Sequence, residues 1–176
     1  MKVISIYIIA FMSIFALQSE TYPTPKTKHL LFYIQRNHNA NTIVYDARYD
    51  KNGKLDPKQP VDAYWLRYQE QGQRMELRSF EKWMAYGVKC EKVSGEYDYR
   101  VYLSASKNVV LWLKQTAAYK ADVIAEIKGV KMKLDHMYAT ADESGWVPKI
   151  LYGEFFGTRL SDGSPVHGKV LKKDIK

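Results

Sequence analysis

Arg36, Asn37, Asn39, Asn41, Tyr45 and Asp46 crowd into one short stretch of the chain. An arginine beside amides, a phenol and a carboxylate can grip a carboxylate, phosphate or sulfate group. A guanidinium offers such an anion two parallel N–H donors. The alternation Phe32-x-Ile34-x-Arg36 places that guanidinium on an apolar strand face. There it needs either an acidic partner, with Asp46 and Glu154 as candidates, or an open cavity. The competing structural use is a buried ion pair, with the asparagines bonding turn backbone. A second set is aromatic: Tyr64, Trp65, Tyr68, Tyr86, Tyr97 and Tyr99. Such rings build cores and cross-strand pairs, and they also enclose apolar ligands or stack on sugars. His136 ends the apolar row Val130, Met132, Leu134 and is expected on the same face. It serves there as a base or ligand in a cavity, or as a hydrogen-bonded histidine at a sheet rim.

These residues sit on short alternating segments. His29–Arg36 and Thr42–Ala47 read as an antiparallel hairpin around residues 37–41. Val61–Gln69, Val88–Val93, Tyr97–Ser104 and Val109–Lys114 continue the pattern. Ala121–Ile127 and Val130–Tyr138 flank a two-residue Lys128-Gly129 turn, so Ile127 should oppose Val130, and Ala121 should oppose His136. Trp146–Phe156 and Val166–Leu171 complete the set. Ser79–Tyr86 is the one helix, with Ser79 as cap, Gly87 as stop, and Leu77, Phe80, Met84 and Trp83 turned to a sheet. Asp50-Lys51-Asn52-Gly53-Lys54 is a turn, because Arg48 and Gln59 occupy the positions where a calcium loop needs acids. The expected fold is mainly β: an antiparallel barrel or sandwich of about 8–10 strands with one short α-helix.

Lys2 precedes the apolar run Val3–Leu17, and a polar exit follows at Gln18-Ser19-Glu20-Thr21. That pattern is a secretory signal peptide, too short to span a bilayer comfortably. The expected organisation is a signal peptide over 1–18, a Pro/Thr/Lys-rich linker over 19–28, and one β-rich domain over 29–176. The protein should act outside the cytoplasm, in the periplasm or beyond the cell. The formal net charge of +8 is spread along the chain rather than clustered, and Lys172-Lys173 and Lys176 end it. Neither a dense basic run nor a nucleic-acid motif is present, so membrane-surface contact is compatible and a nucleic-acid partner is not expected. Cys90 is the sole cysteine. It excludes an internal disulfide, and no His or Arg flanks it to lower its pKa.

His29-Leu30-Leu31-Phe32-Tyr33-Ile34-Gln35-Arg36-Asn37, Asn41-Thr42-Ile43-Val44-Tyr45-Asp46-Ala47, Pro60-Val61 with Tyr64-Trp65, and Ala85-Tyr86-Gly87 together resemble an exported bacterial domain-of-unknown-function family common in the Bacteroidetes. The resemblance implies export and a single domain, and it brings no catalytic residues. No nucleophile elbow, phosphate loop, dinucleotide fingerprint or zinc motif appears, so no cofactor or metal is implied. The leading expectation is a monomeric binding module with a polar-aromatic cavity or face for a glycan, a lipid or another anionic small ligand. Its candidate residues are Arg36, Asn41, Tyr45, Asp46, Tyr64, Tyr68, Tyr86, His136 and Glu154. One alternative is an envelope-directed hydrolase using Asp46, His136 and Glu154. Another is an interaction protein of an envelope complex.

Overall fold

The computed structural model describes residues 22–142, 144–145 and 149–171. The apolar leader, the basic tail and the Trp146–Pro148 start of an expected strand lie outside them. Eleven strands form one sheet, which curls into a half-barrel. They are β1 (Leu30–Arg36), β2 (Asn39–Ala47), β3 (Val61–Arg67), β4 (Gln73–Glu76), β5 (Val88–Lys92), β6 (Tyr99–Leu103), β7 (Ser106–Ala117), β8 (Lys120–Ile127), β9 (Val130–Asp142), β10 (Lys149–Arg159) and β11 (Pro165–Leu171). The helix α1 (Ser79–Glu81) continues as a π-helical turn (Lys82–Tyr86) and leads into β5. No helix among the described residues is long and apolar enough to cross a membrane.

The long strand β9 organises the sheet. One of its edges pairs along its length with β10, from Met132 to Asp142. Its other edge is shared. Val130–Lys133 pairs with β8, and His136–Ala139 pairs with β1 in parallel. Two limbs, β1-β2-β3-β4 and β8-β7-β6-β5, therefore fan out from one edge of β9. The hairpin around Lys128-Gly129 has the expected register, with Ile127 opposite Val130 and Ala125 opposite Met132. Its pairing stops at Ile124 opposite Lys133, so Ala121 does not face His136. Tyr33 takes that place.

The inner face is the core. Phe32, Ile43, Tyr45, Val101, Leu111, Leu113, Val123, Ala125 and Met132 are fully buried there. The outer face is wet along most of the sheet, as alternation dictates. Over β1, β2 and β3 it is not: Tyr33, Val44 and Tyr64 form a second buried cluster. Residues 22–28 cover it without regular secondary structure. Pro25 is buried, the Gln35 side chain donates to the Pro23 carbonyl (3.1 Å), and the Thr27 hydroxyl donates to Asp46 (2.6 Å).

Three local expectations change. The first hairpin turn is tighter than residues 37–41. It is Asn37-His38 alone, with His38 at φ 57, and β2 already begins at Asn39. The helix N-cap is Arg78, whose backbone N–H is held by the Glu81 carboxylate at 2.7 Å, and Ser79 is the first helical residue. Phe80 and Trp83 face solvent rather than a sheet. The short β4 follows the reversal at Gly72 (φ 75) and has no apolar alternation to mark it.

Candidate functional site

Asn37 and Asn41 serve the backbone. The Asn37 amide donates to the Ala141 carbonyl (3.1 Å), and its oxygen accepts the Ala141 N–H (2.8 Å). It thereby extends the parallel β1–β9 pairing by one side-chain rung. Asn41 bonds Gln69 in the same two-way fashion, giving 3.1 Å to its side-chain oxygen and taking 3.1 Å from its N–H. The asparagines thus follow the structural use open to them in a turn.

Arg36 stands at the inner end of β1, beside a cavity of ≈ 540 Å³. Five strands (β1, β2, β3, β9 and β10) and the helix make its wall. Ile34, Ile43, Met84, Ala85, Ala139, Ala141 and Ile150 supply the apolar lining. Arg36, Arg67 and Lys149 set three cations on it, against Glu81. Neither Asp46 nor Glu154 is placed to pair Arg36, because both lie on the outer face with other partners. Trp65 forms one wall and meets the Tyr86 ring edge-on, with centroids 5.2 Å apart. It is 4% exposed, yet its indole Nε1 is buried with no hydrogen-bond partner. The Arg67 Nε is buried without one too, although the far end of that guanidinium reaches Glu70 at 3.0 Å. Buried donors are nearly always bonded. Both residues line this one cavity.

Tyr45 anchors this wall from behind. Its ring is wholly buried and its hydroxyl donates to the Tyr86 carbonyl (3.0 Å), which pins the end of the helix to the core. Burial pushes its pKa far up, so the phenol stays a neutral donor. Tyr64 lies outside, with its hydroxyl on Asp46 (2.7 Å) and the Arg74 guanidinium 3.8 Å from its ring centroid. Desolvation and the Asp46 hydrogen bond raise its pKa.

His136 is also on the outer face. In β9 the register against β10 jumps from His136 opposite Phe156 to Leu134 opposite Gly157, so Asp135 is an inserted residue. This bulge reverses the alternation beyond it. Met132 and Leu134 point inward before it, and Met137 and Ala139 after it. His136 then joins a row of stacked rings across four strands. Tyr33–His136, His136–Phe156 and Phe156–His167 lie at 5.0, 4.5 and 4.6 Å between centroids. His167 meets Glu154 at 3.2 Å, and His136 meets Asp135 at 3.0 Å. The rings cover one another's faces, so the row offers edges to solvent and no stacking platform.

A larger cleft of ≈ 1040 Å³ separates the two limbs where the curl stays open, between the start of β3 and the free edge of β5. Lys58, Asp62, Lys82, Trp83, Cys90, Glu91 and Ser104 are among its lining. Burial pushes the Cys90 thiol up to about 12, which makes it a poor nucleophile.

A family model described as a domain of unknown function, DUF4833, matches residues 32–169. The chain belongs to that family. No curated protein and no solved structure matches it. The DUF4833 domain therefore brings Arg36 and Tyr86 together at the inner cavity, with Tyr45 behind them. It places Asp46 and Tyr64 beneath the N-terminal segment, Asn41 and Tyr68 by the 3-10 turn (Tyr68–Glu70), and His136 and Glu154 by the outer ring row. Asp46, His136 and Glu154 line no common cavity among the described residues. No group of His, Cys, Asp and Glu there could hold a metal ion. Sequence reasoning missed Arg67 and gave Trp65 no special weight. The row Val61-x-Ala63-x-Trp65-x-Arg67 held the signal, since a small-to-large apolar row ending in a cation parallels Phe32-x-Ile34-x-Arg36.

The raised Cys90 and Tyr49 pKa values predict an alkaline weakness. Desolvation lifts the Tyr49 phenol to about 12 as well. Both groups stay neutral in the fold and ionise earlier in the unfolded chain. The stability they contribute is whole below the unfolded pKa and is lost as pH rises towards the folded one. For Cys90 the loss begins near pH 9, at up to ~1.4 kcal/mol per pH unit. Urea denaturation at pH 8 and pH 10.5 should show a decline that is smaller in Cys90→Ala. An equal decline in the variant would place that thiol in water.

Proposed function

We propose that this protein is an exported binding module whose inner cavity takes an apolar molecule bearing an anionic head. One observation carries the reading: Trp65, whose N–H is buried without a hydrogen-bond partner, walls an apolar cavity bordered by Arg36, Arg67 and Lys149. The volume lies within the ~300–1,000 Å³ of small-molecule sites. Isoleucine, methionine and alanine walls suit a hydrocarbon and leave the hydroxyls of a glycan unbonded. The cations and the indole N–H suit a carboxylate or phosphate. The leader-like residues 1–18 support placing the module outside the cytoplasm.

Calorimetric titration with a long-chain carboxylate and with the alcohol of equal length tests this. The carboxylate should bind at least ~10-fold tighter, and Trp65→Phe should weaken it by roughly 5-fold, the worth of about one hydrogen bond. Equal binding of acid and alcohol, or no binding of either, would end the proposal.

A further inference from the structure

We propose that the exposed face of the short helix, Phe80 with Trp83, docks on an anionic phospholipid surface. Phe80 is 61% and Trp83 75% exposed, the highest values among the large exposed hydrophobic side chains described. Their rings stand 6.2 Å apart and form one patch. The helix beneath them is not loose. Lys82 carbonyl oxygen accepts from the Ser104 hydroxyl (2.7 Å), and Ala85 carbonyl accepts from the Ala105 N–H (3.1 Å). With the Tyr45 bond to Tyr86, three ties fix the backbone and leave the rings outward. Two exposed aromatics on a clamped helix lose little further freedom when a lipid phase takes them up.

The charge around the patch selects the surface. Arg78 and Lys82 are exposed on the same helix, and exposed Lys58 lines the same cleft as Trp83. Glu81 does not offset them outward, because it is half-buried and bonds the Arg78 N–H. The chain as a whole carries +8. Aromatic rings between cations are the composition of an interfacial membrane anchor. Two rings make too small a patch for a stable protein–protein interface, which needs ~800 Å² per partner. Phe80 also lines the inner cavity and Trp83 the cleft. Docking would thus set the cavity mouth against the bilayer, but the surface stands whether or not the cavity takes an amphiphile.

The test uses the chain from Ser19 onward, which keeps every described residue and removes the apolar run that would itself enter lipid. The probes are phosphatidylcholine vesicles with and without phosphatidylglycerol, with no amphiphile added. Trp83 emission, isolated as wild type minus Trp83→Phe, should be quenched by brominated lipid in the mixed vesicles. Phe80→Ser with Trp83→Ser should weaken sedimentation with them at least ~10-fold while the urea midpoint stays put. Lys82→Glu should weaken binding to mixed vesicles alone, and Trp65→Phe should bind as wild type. Unquenched Trp83, wild-type binding by the folded double variant, or equal binding to vesicles without phosphatidylglycerol would each overturn the proposal.

Discussion

Phe32→Ala is expected to remove about 3–5 kcal/mol of stability, the range for a buried aromatic truncated to alanine. Phe32 is 0% exposed, and its ring lies flat on Tyr45 with centroids 4.4 Å apart. It belongs to β1, which is held by β2 on one side and β9 on the other. The residues around it are anchored in paired strands and cannot close the void, so the lost contacts stay lost. Urea denaturation followed by tryptophan fluorescence measures the effect. Phe80→Ala is the control: with 61% of its surface already in water, it should change stability by about 0.5 kcal/mol or less. A loss below ~1 kcal/mol in Phe32→Ala would mean that the inner face is not the core.

The alternation of apolar residues was enough to place most strands, because outside β1, β2 and β3 each buries one face only. Met132, Leu134, Val123, Ala125 and Ile127 all point inward as their spacing requires. The Lys128-Gly129 turn fixed one register, since both residues adopt the positive φ that a two-residue hairpin demands. What could not be read was whatever depends on a partner distant in the chain. The bulge at Asp135 moves His136 from the cavity row to the outer face, and nothing in Leu134-Asp135-His136 announces an inserted residue. The parallel pairing of β1 with β9 joins segments a hundred residues apart, and its side-chain rung from Asn37 to Ala141 looks in sequence like an ordinary turn asparagine. Tyr64 was a candidate to meet a ligand, and it shares a cluster on the outer face with Tyr33. Residues 22–28 cover them instead, through contacts that no periodicity carries. Phe80 and Trp83 were assigned inward by hydrophobicity alone, which fails where a helix keeps apolar residues in water.

The division of the candidate residues between two faces leaves Arg36 as the decisive one. It shares the cavity with Trp65, and its partial burial leaves it in reach of both water and ligand. A guanidinium is a permanent cation. An ion pair at a partly exposed site is screened and contributes at most about 1 kcal/mol. Arg36→Met is therefore expected to change stability by no more than ~1 kcal/mol. Its effect should fall on binding: a charge-assisted hydrogen bond is worth about 1.5–3 kcal/mol. The long-chain carboxylate should lose roughly 10- to 100-fold in affinity, and the matching alcohol should lose almost nothing, because methionine preserves the apolar wall. Acid and alcohol must be titrated side by side with urea denaturation of the same variant. A stability loss of ~3–5 kcal/mol would show instead that Arg36 is clamped by a buried protein carboxylate. Unchanged stability with unchanged preference for the acid would hand the anion to Arg67 and Lys149, the other two cations of the cavity.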